Sequence, residues 1–278
     1  MSYRIVGDSC TDLPLDLKEN EHFHLVPLTL IVDNENIVDD ETFDQKEFLK
    51  KVKASSSAPK SSCPSPYDYM NKFDFDGDAY VITLSSELSG SFNSAQVAKQ
   101  LYLEDHPDKN IGLIDSRAAS VSQSLLAMKI VECIDKGMKF EEVMKEVIKY
   151  RDGQTTRFVL ETLETLRKNG RLSGLQGIIA SALNIKPIMG ATNEGTIYKI
   201  DQARGINKAL IAMAKIIENE VIKPAERILG IAHCNNYERA IYVKEELLKR
   251  IKFKDVFIVD TAGVSTMYAA DGGIIVSF

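Results

Sequence analysis

Short apolar runs alternate with longer stretches of helical periodicity in the first half of the chain. Tyr3-Arg4-Ile5-Val6-Gly7 predicts a strand, and the polar cluster Asp8, Ser9, Thr11 and Asp12 after it offers local caps for a turn or helix. The run His24 to Val32 and the shorter Asn36-Ile37-Val38 flank Asp33-Asn34-Glu35, a hairpin pattern. Phe43 to Val52 is a charged amphipathic helix. Residues 54–66, ASSSAPKSSCPSP, read as a Ser/Pro-rich loop, long enough to be a functional loop or a linker. A second strand, Tyr80 to Leu84, stops at the small hydroxyl residues of SSELSGS and resumes as a helix through Ala95, Val97, Ala98 and Leu101. Such a strand-to-helix turn presents free backbone N–H groups beyond the strand end. Ile111 to Ser116 predicts a third strand, and Ser122 to Lys136 and Phe140 to Tyr150 two helices.

Strand, helix, strand, helix is the order of a parallel sheet covered on both faces. Its strand ends carry Asp8-Ser9, Ser85-Ser86 and Asp115-Ser116, and open sheets of this type bind ligands beyond the carboxyl ends of their strands. The second half changes character. Val159, Leu160, Leu163 and Leu166 lie at helical spacing, and Gly170 stands where a glycine ends a helix. Residues 174–190, GLQGIIASALNIKPIMG, are small, apolar and nearly uncharged. Thr196 to Ile200 follows the turn Asn193-Glu194-Gly195 as a strand, and Ile206 to Ile222 is a helix. Ile228 to His233, Tyr237 to Arg250 and Val256 to Asp260 give strand, helix, strand, with a last strand at Gly272 to Phe278. The expectation is an α/β protein: an N-terminal parallel-sheet, three-layer domain over residues 1–157 and a C-terminal α+β domain with a mixed sheet over residues 158–278.

Composition narrows the functional classes. The 278 residues suffice for about two domains at ~150 residues each. A formal net charge of -6 and a pI near 5.4 argue against a nucleic-acid groove, which needs a basic face. No stretch reaches the ~18 apolar residues of a membrane span, and no secretory signal is evident. Cys10, Cys63, Cys133 and Cys234 are scattered and form no CxxC pair, the usage of a cytoplasmic protein with reduced thiols.

Gly7-Asp8-Ser9-Cys10 has the look of a GDSL-type hydrolase block with Ser9 as nucleophile, but such a serine needs a base. The histidines are His22, His24, His106 and His233, and none follows an aspartate by three residues as in those hydrolases. His22-x-His24 and His233-Cys234 lack further ligands at metal-site spacing, so no metal is expected. There is no P-loop, no G-x-G-x-x-G and no G-x-S-x-G elbow, so no nucleotide or organic cofactor is expected either.

An ordered set of motifs remains: Asp8-Ser9-Cys10-Thr11-Asp12-Leu13, Ser61-Ser62-Cys63-Pro64-Ser65-Pro66, the stretch Ser85 to Ala95 (SSELSGSFNSA) and Leu166 to Ser173 (LRKNGRLS). Together they resemble the DegV family along nearly the whole chain, whose patterns are DSxxDL, TSQPSP, SSxLSGTYxSA and LxxGGRxS. The resemblance implies a non-catalytic carrier that binds one long-chain fatty acid, such as hexadecanoate, in a tunnel between its domains. It further implies a soluble fatty-acid kinase as partner, which makes an acyl phosphate for phospholipid synthesis; the acidic pI leaves open a transient contact with a membrane surface, which would need a local apolar or basic patch. Carried over by position, Ser61 and Ser89 hold the carboxylate, with Ser62, Gly90 and Tyr268 beside them and Arg171 facing the kinase. The apolar residues of 175–189 become candidates for the tunnel wall. Two departures stand out. Tyr268-Ala269-Ala270-Asp271-Gly272 occupies the place of the family's His-x-Gly-Pro-Gly, and Ser122 and Ser124 replace frequent glycines. A phenol does not shuttle protons near neutrality as an imidazole does. The alternative reading is a serine-dependent lipid hydrolase or transferase using Ser9 or Ser89.

Overall fold

The computed structural model describes residues 2–172 and 184–278. β1 (Tyr3–Asp8), β2 (Phe23–Val26), β6 (Asp78–Thr83) and β7 (Ile111–Asp115) form a parallel sheet in the order β2-β1-β6-β7. Their side chains alternate between two cores, as a strand buried on both faces requires. Val6 and Val81 pack with Tyr69 and Phe73 of α3 (Pro66–Phe73) and with Ala95 and Ala98 of α4 (Ser91–Asp105). Ile5 and Ile82 pack with Leu126 and Ile130 of α5 (Val121–Asp135) and with Val143 and Val147 of α6 (Phe140–Asp152). These are the expected three layers. The short α1 (Leu15–Lys18) closes the second face with Leu17.

The run from His24 to Val32 is two strands. Pro27, which has no N–H for a ladder, separates β2 from β3 (Thr29–Val32), and the two join different sheets. β3 pairs antiparallel with β4 (Glu35–Val38) and with β5 (Lys60–Ser62). Asp33 and Asn34 form the two-residue turn at φ +47° and +69°, the left-handed pair that a type I′ hairpin needs. α2 (Gln45–Ala54), capped by Asp44 on the Glu47 N–H, covers this small sheet through Phe48. The loop read over residues 54–66 therefore contains a strand.

The second sheet runs in the order β10-β9-β8-β13-β11-β12. It is built from β8 (Thr156–Val159), β9 (Ile185–Ala191), β10 (Ile197–Arg204), β11 (Ile228–His233), β12 (Asp255–Asp260) and β13 (Ile274–Ser277). Only β11 and β12 pair in parallel; the rest of the ladder is antiparallel, so the sheet is mixed. β8 straddles the boundary expected at residue 157. α8 (Ile206–Glu220) and α9 (Tyr237–Leu248) bury one face, with Leu210, Met213, Ile217, Val243 and Leu247 against Leu229, Ile231 and Ile274. Val159 and Leu160 are not helical as their spacing predicted: Val159 ends β8, and only Glu164–Lys168 is helix, as α7. α10 (Gly263–Ala269) has no counterpart among the expected elements.

α5 joins the two halves. Its Leu126 and Ile130 face the parallel sheet, while Val121 packs on Ala232 and Val259 of the mixed sheet. Among the described residues no helix is long and apolar enough to cross a membrane.

Candidate functional site

The polar cluster after β1 caps no local helix: Pro14 is the N-cap of α1 and supplies no side-chain hydrogen bond. Its carboxylates reach across the molecule instead. Asp8 accepts from the Leu84 N–H at 2.8 Å, from Ser91 Oγ at 2.6 Å and from Gln123 Nε2 at 2.9 Å, tying β1 to the β6–α4 turn and to α5. Asp12 accepts from the Ala262 N–H at 2.6 Å. Asp39, after β4, accepts from the Gly263 and Val264 N–H groups at 2.7 and 2.9 Å. The first backbone donors of α10 thus end on two buried carboxylates of the N-terminal half. Gly263 is obligatory there, since a Cβ would lie 2.5 Å from Asp39 Oδ1. Burial pushes the Asp12 carboxyl up to about 7 and that of Asp39 up to about 6, because these groups are held by neutral donors and not by cations.

Pinned in this way, α10 places Tyr268 at the edge of an apolar cavity between the two halves. Cys10, Leu84 and Leu88 line the cavity with Ala118 and Ala119 of the loop after β7. Thr156, Phe158 and Leu160 come from β8 and its end, Leu166 from α7, Ala191 and Ile197 from the β9–β10 hairpin, and Ile275 from β13. Val264, Ser265, Tyr268 and Ala269 complete the wall from α10, and its accessible lining is almost wholly apolar. Burial raises the Cys10 thiol well above its ordinary range, so it serves as a protonated, apolar wall.

Ser61 Oγ lies 3.4 Å from Tyr268 Oη. Register explains the contact: Ser61 sits opposite Leu30 on the β3–β5 ladder and is half-buried, whereas Ser62, its neighbour, is exposed on the other face. The ladder therefore does not turn the Ser62 side chain to the same side as Ser61. Ser89 and Gly90 lie at the start of α4, where Ser89 Oγ accepts from the Ser91 N–H at 3.2 Å. A Cβ on Gly90 would stand 3.1 Å from Cys63 Sγ, so the 60–66 and 88–91 loops touch through Cys63. That cysteine was not singled out from sequence; its place between two motif serines was the available signal.

Arg171 follows a Schellman end to α7: Gly170, at φ +77°, donates to the Arg167 carbonyl and the Arg171 N–H to that of Leu166. Its guanidinium is half-buried. Nε donates to the Leu88 carbonyl at 3.1 Å, and Nη1 donates to the Asn169 carbonyl. Arg171 and Leu88 line both the apolar cavity and a cleft of about 500 Å³ that also contains Ser89, Gly90 and Phe92. Arg171 thus stands where the cavity meets the surface.

Ser9 is buried and accepts from the Leu28 N–H at 2.9 Å. Neither Ser9 nor Ser89 has a histidine in hydrogen-bond range among the described residues, so the hydrolase reading finds no base. Ser122 donates to Gln154 Oε1 at 3.0 Å and Ser124 to the Asp12 carbonyl. Residues 175–183 lie outside the described residues. Within the rest of the apolar segment, Ile188 belongs to the C-terminal core, and Met189 packs with Phe158 and Leu160. Among the described residues no group of three or more His, Cys, Asp or Glu side chains is placed to hold a metal.

A parallel-sheet unit and a mixed-sheet unit with an apolar cavity between them, hydroxyls at its edge, define a two-sheet α/β protein. The chain belongs to the DegV family: a family model described as "Uncharacterised protein, DegV family" matches residues 2–278. A DegV domain-containing protein of Streptococcus pneumoniae is 36% identical over 283 residues, covering 100% of this chain and 99% of that one. Among solved structures, a DegV family protein from Ruminococcus gnavus with vaccenic acid is 47% identical, with a TM-score of 0.97 and 100% of both chains covered. The Streptococcus pneumoniae Fatty Acid Kinase (Fak) B3 protein loaded with linoleic acid is 35% identical, with a TM-score of 0.92, covering 100% of this chain and 99% of that one.

Proposed function

We propose that this chain is a cytoplasmic fatty-acid carrier. It holds one long-chain acid in the apolar cavity, between units of residues 1–157 and 158–278, and presents the carboxylate to a separate soluble kinase. The observation that carries the reading is the apolar cavity with the Ser61–Tyr268 hydroxyl pair at its edge, in a family whose solved members cited above hold vaccenic and linoleic acid.

The chemistry divides as the lining does. Burying a methylene contributes ~0.8 kcal/mol, so an acyl tail contributes roughly 10 kcal/mol gross. Each hydrogen bond to the carboxylate adds only about 1.5–3 kcal/mol. The tail sets affinity; the hydroxyls of Ser61, Tyr268 and Ser89 set which end faces the mouth. At the mouth, one carboxylate oxygen takes a phosphoryl group from the nucleotide held by the kinase, and Arg171 offsets the charge that gathers there. The carrier supplies no base and no nucleophile. Lipid exchange takes place in transient contact with a membrane surface.

Native mass spectrometry of protein purified from cells, followed by titration of the delipidated protein with hexadecanoate and with unsaturated C18 acids, tests the reading. A bound acid of long chain supports it. No binding to any chain length by properly folded protein overturns it.

A further inference from the structure

We propose that a second cleft, beyond the end of β7, binds an oxyanion of the phosphate class. It measures about 490 Å³ and is lined by Arg117, Arg151 and Arg157 together with Asp152, Glu194 and Tyr198. It is polar where the acyl cavity is apolar, and the two back onto each other through Ala118, Thr156 and Ala191, which line both.

Two cations share one carboxylate in this cleft. Arg117 Nη1 reaches Asp152 Oδ1 at 3.3 Å, and Arg151 Nε and Nη2 reach the same oxygen at 3.0 and 2.7 Å. That trio carries one net positive charge, which Glu194 in the same lining opposes from the rim. Arg157 adds a second source of donors. Its side chain is only 8% exposed, and Nε is paired with Glu220 at 2.8 Å. Nη1 donates to the Thr156 carbonyl at 2.7 Å, and Nη2 has no acceptor among the described residues. Nη2 is not sealed from solvent, so it is the donor that an oxyanion in the cleft can take. Glu194 is exposed on the β9–β10 turn, at the outer edge of the cleft.

Backbone geometry points the same way. Arg117 is held at φ +52°, and its N–H donates to Asp115 Oδ1 at 2.9 Å. A non-glycine residue kept in that region at the carboxyl end of a parallel strand is where open α/β sheets place ligand contacts. Guanidinium forks match the oxygens of phosphate in pairs. Free phosphate and a phosphomonoester head group share this chemistry.

Isothermal titration calorimetry on the full chain tests the site, using inorganic phosphate in one arm and glycerol 3-phosphate in the other, with chloride at matched ionic strength as control. We expect saturable binding in one or both arms. Tighter binding of the ester assigns the site to a head group, and equal or weaker binding to free phosphate. Arg117→Gln, at a half-exposed side chain outside the acyl cavity, should weaken binding roughly tenfold, as the loss of a charge-assisted contact does. Ser61→Ala should leave it unchanged, which separates this site from the lipid site. Absence of saturable binding of either anion to wild-type protein overturns the proposal. So does an Arg117→Gln protein of unchanged melting temperature that binds phosphate as wild type does.

Discussion

Ser61 Oγ and Tyr268 Oη lie 3.4 Å apart although 207 positions separate them in the chain. One is set by the register of β5 on β3. The other is set by α10, a helix whose first N–H groups are held by Asp12 and Asp39 from the opposite half. The hydroxyl pair is thus assembled by the docking of the two halves and not by either alone.

Removing either hydroxyl should weaken fatty-acid binding by about tenfold, the size of one hydrogen bond to a charged group. Ser61→Ala and Tyr268→Phe, measured singly and together by calorimetry, form a double-mutant cycle. On the proposed reading both hydroxyls share one carboxylate, so the double loss should depart from the sum of the single ones. Additive effects within error would place the two hydroxyls on separate partners.

Arg171→Ala tests a different link. The guanidinium joins the Leu88 and Asn169 carbonyls, so part of its role is to hold the 88–91 loop against the end of α7. Melting temperature should fall, by the equivalent of about 1–3 kcal/mol, the cost of leaving part-buried acceptors unpaired. Fatty-acid affinity of the folded fraction should change little, because the tail dominates it. Acyl-phosphate formation with the kinase should drop beyond what the stability loss explains. Arg171→Lys, which keeps the charge but not the fork, should recover less than half of that drop if the paired N–H groups matter.

The parallel-sheet half was legible because each of its elements carries its own signal. Tyr80 to Leu84 and Ile111 to Asp115 are apolar runs of strand length, and α6 is periodic. The mixed-sheet half was harder, for physical reasons. β8 is a central strand buried throughout, so its residues give no alternation, and Val159 and Leu160 merged with Leu163 and Leu166 into a helical spacing. α10 has no side-chain N-cap of its own; its caps are the distant Asp12 and Asp39, which no local pattern reveals. The motif resemblance singled out Ser61, Ser89, Tyr268 and Arg171. Which of them touch, and that Ser62 lies on the other face of its strand, followed only from register.

Stability should carry a pH signature from the carboxylates that pin α10. The Asp12 carboxyl is raised to about 7 and that of Asp39 to about 6, from an ordinary value of 3.8, with burial as the main cause. Between pH ~4 and ~7 the folded state then holds more protons than the unfolded one, so stability from these groups falls as pH rises through that window and levels off above it. It is fully present at the acid end. Asp12→Asn keeps one oxygen for the Ala262 N–H and offers its amide to Ser120. It should therefore flatten the upper part of the profile while leaving a folded protein. Thermal melts of both proteins from pH 5 to 8 check this. A wild-type melting temperature that rises between pH 5 and 7 while Asp12→Asn shows the same rise would contradict the assignment.

The β9–β10 turn should prove as important to the apolar cavity as the residues that line it. Gly195, at φ +96°, accepts a hydrogen bond from Ser85 Oγ at 2.8 Å through its carbonyl, and this bond ties the tip of the mixed sheet to the rim of the parallel one. A Cβ there would lie 2.3 Å from Ser85 Oγ and 2.9 Å from Arg117 Cα, in a backbone region that side chains rarely adopt. Gly195→Ala must therefore push the turn away from the rim. Ala191 and Ile197, just before and after the turn, are walls of the cavity and should move with it. The expected result is a stability loss on the order of 1–3 kcal/mol, together with faster release of bound fatty acid. Ser85→Ala removes the bond without the clash, so it should give a smaller stability loss and an intermediate release rate. Stopped-flow displacement of a fluorescent fatty acid, read beside thermal melts, separates the two effects. Were Gly195→Ala to melt early and still release lipid at the wild-type rate, the turn would be a docking contact with no part in holding the acyl chain.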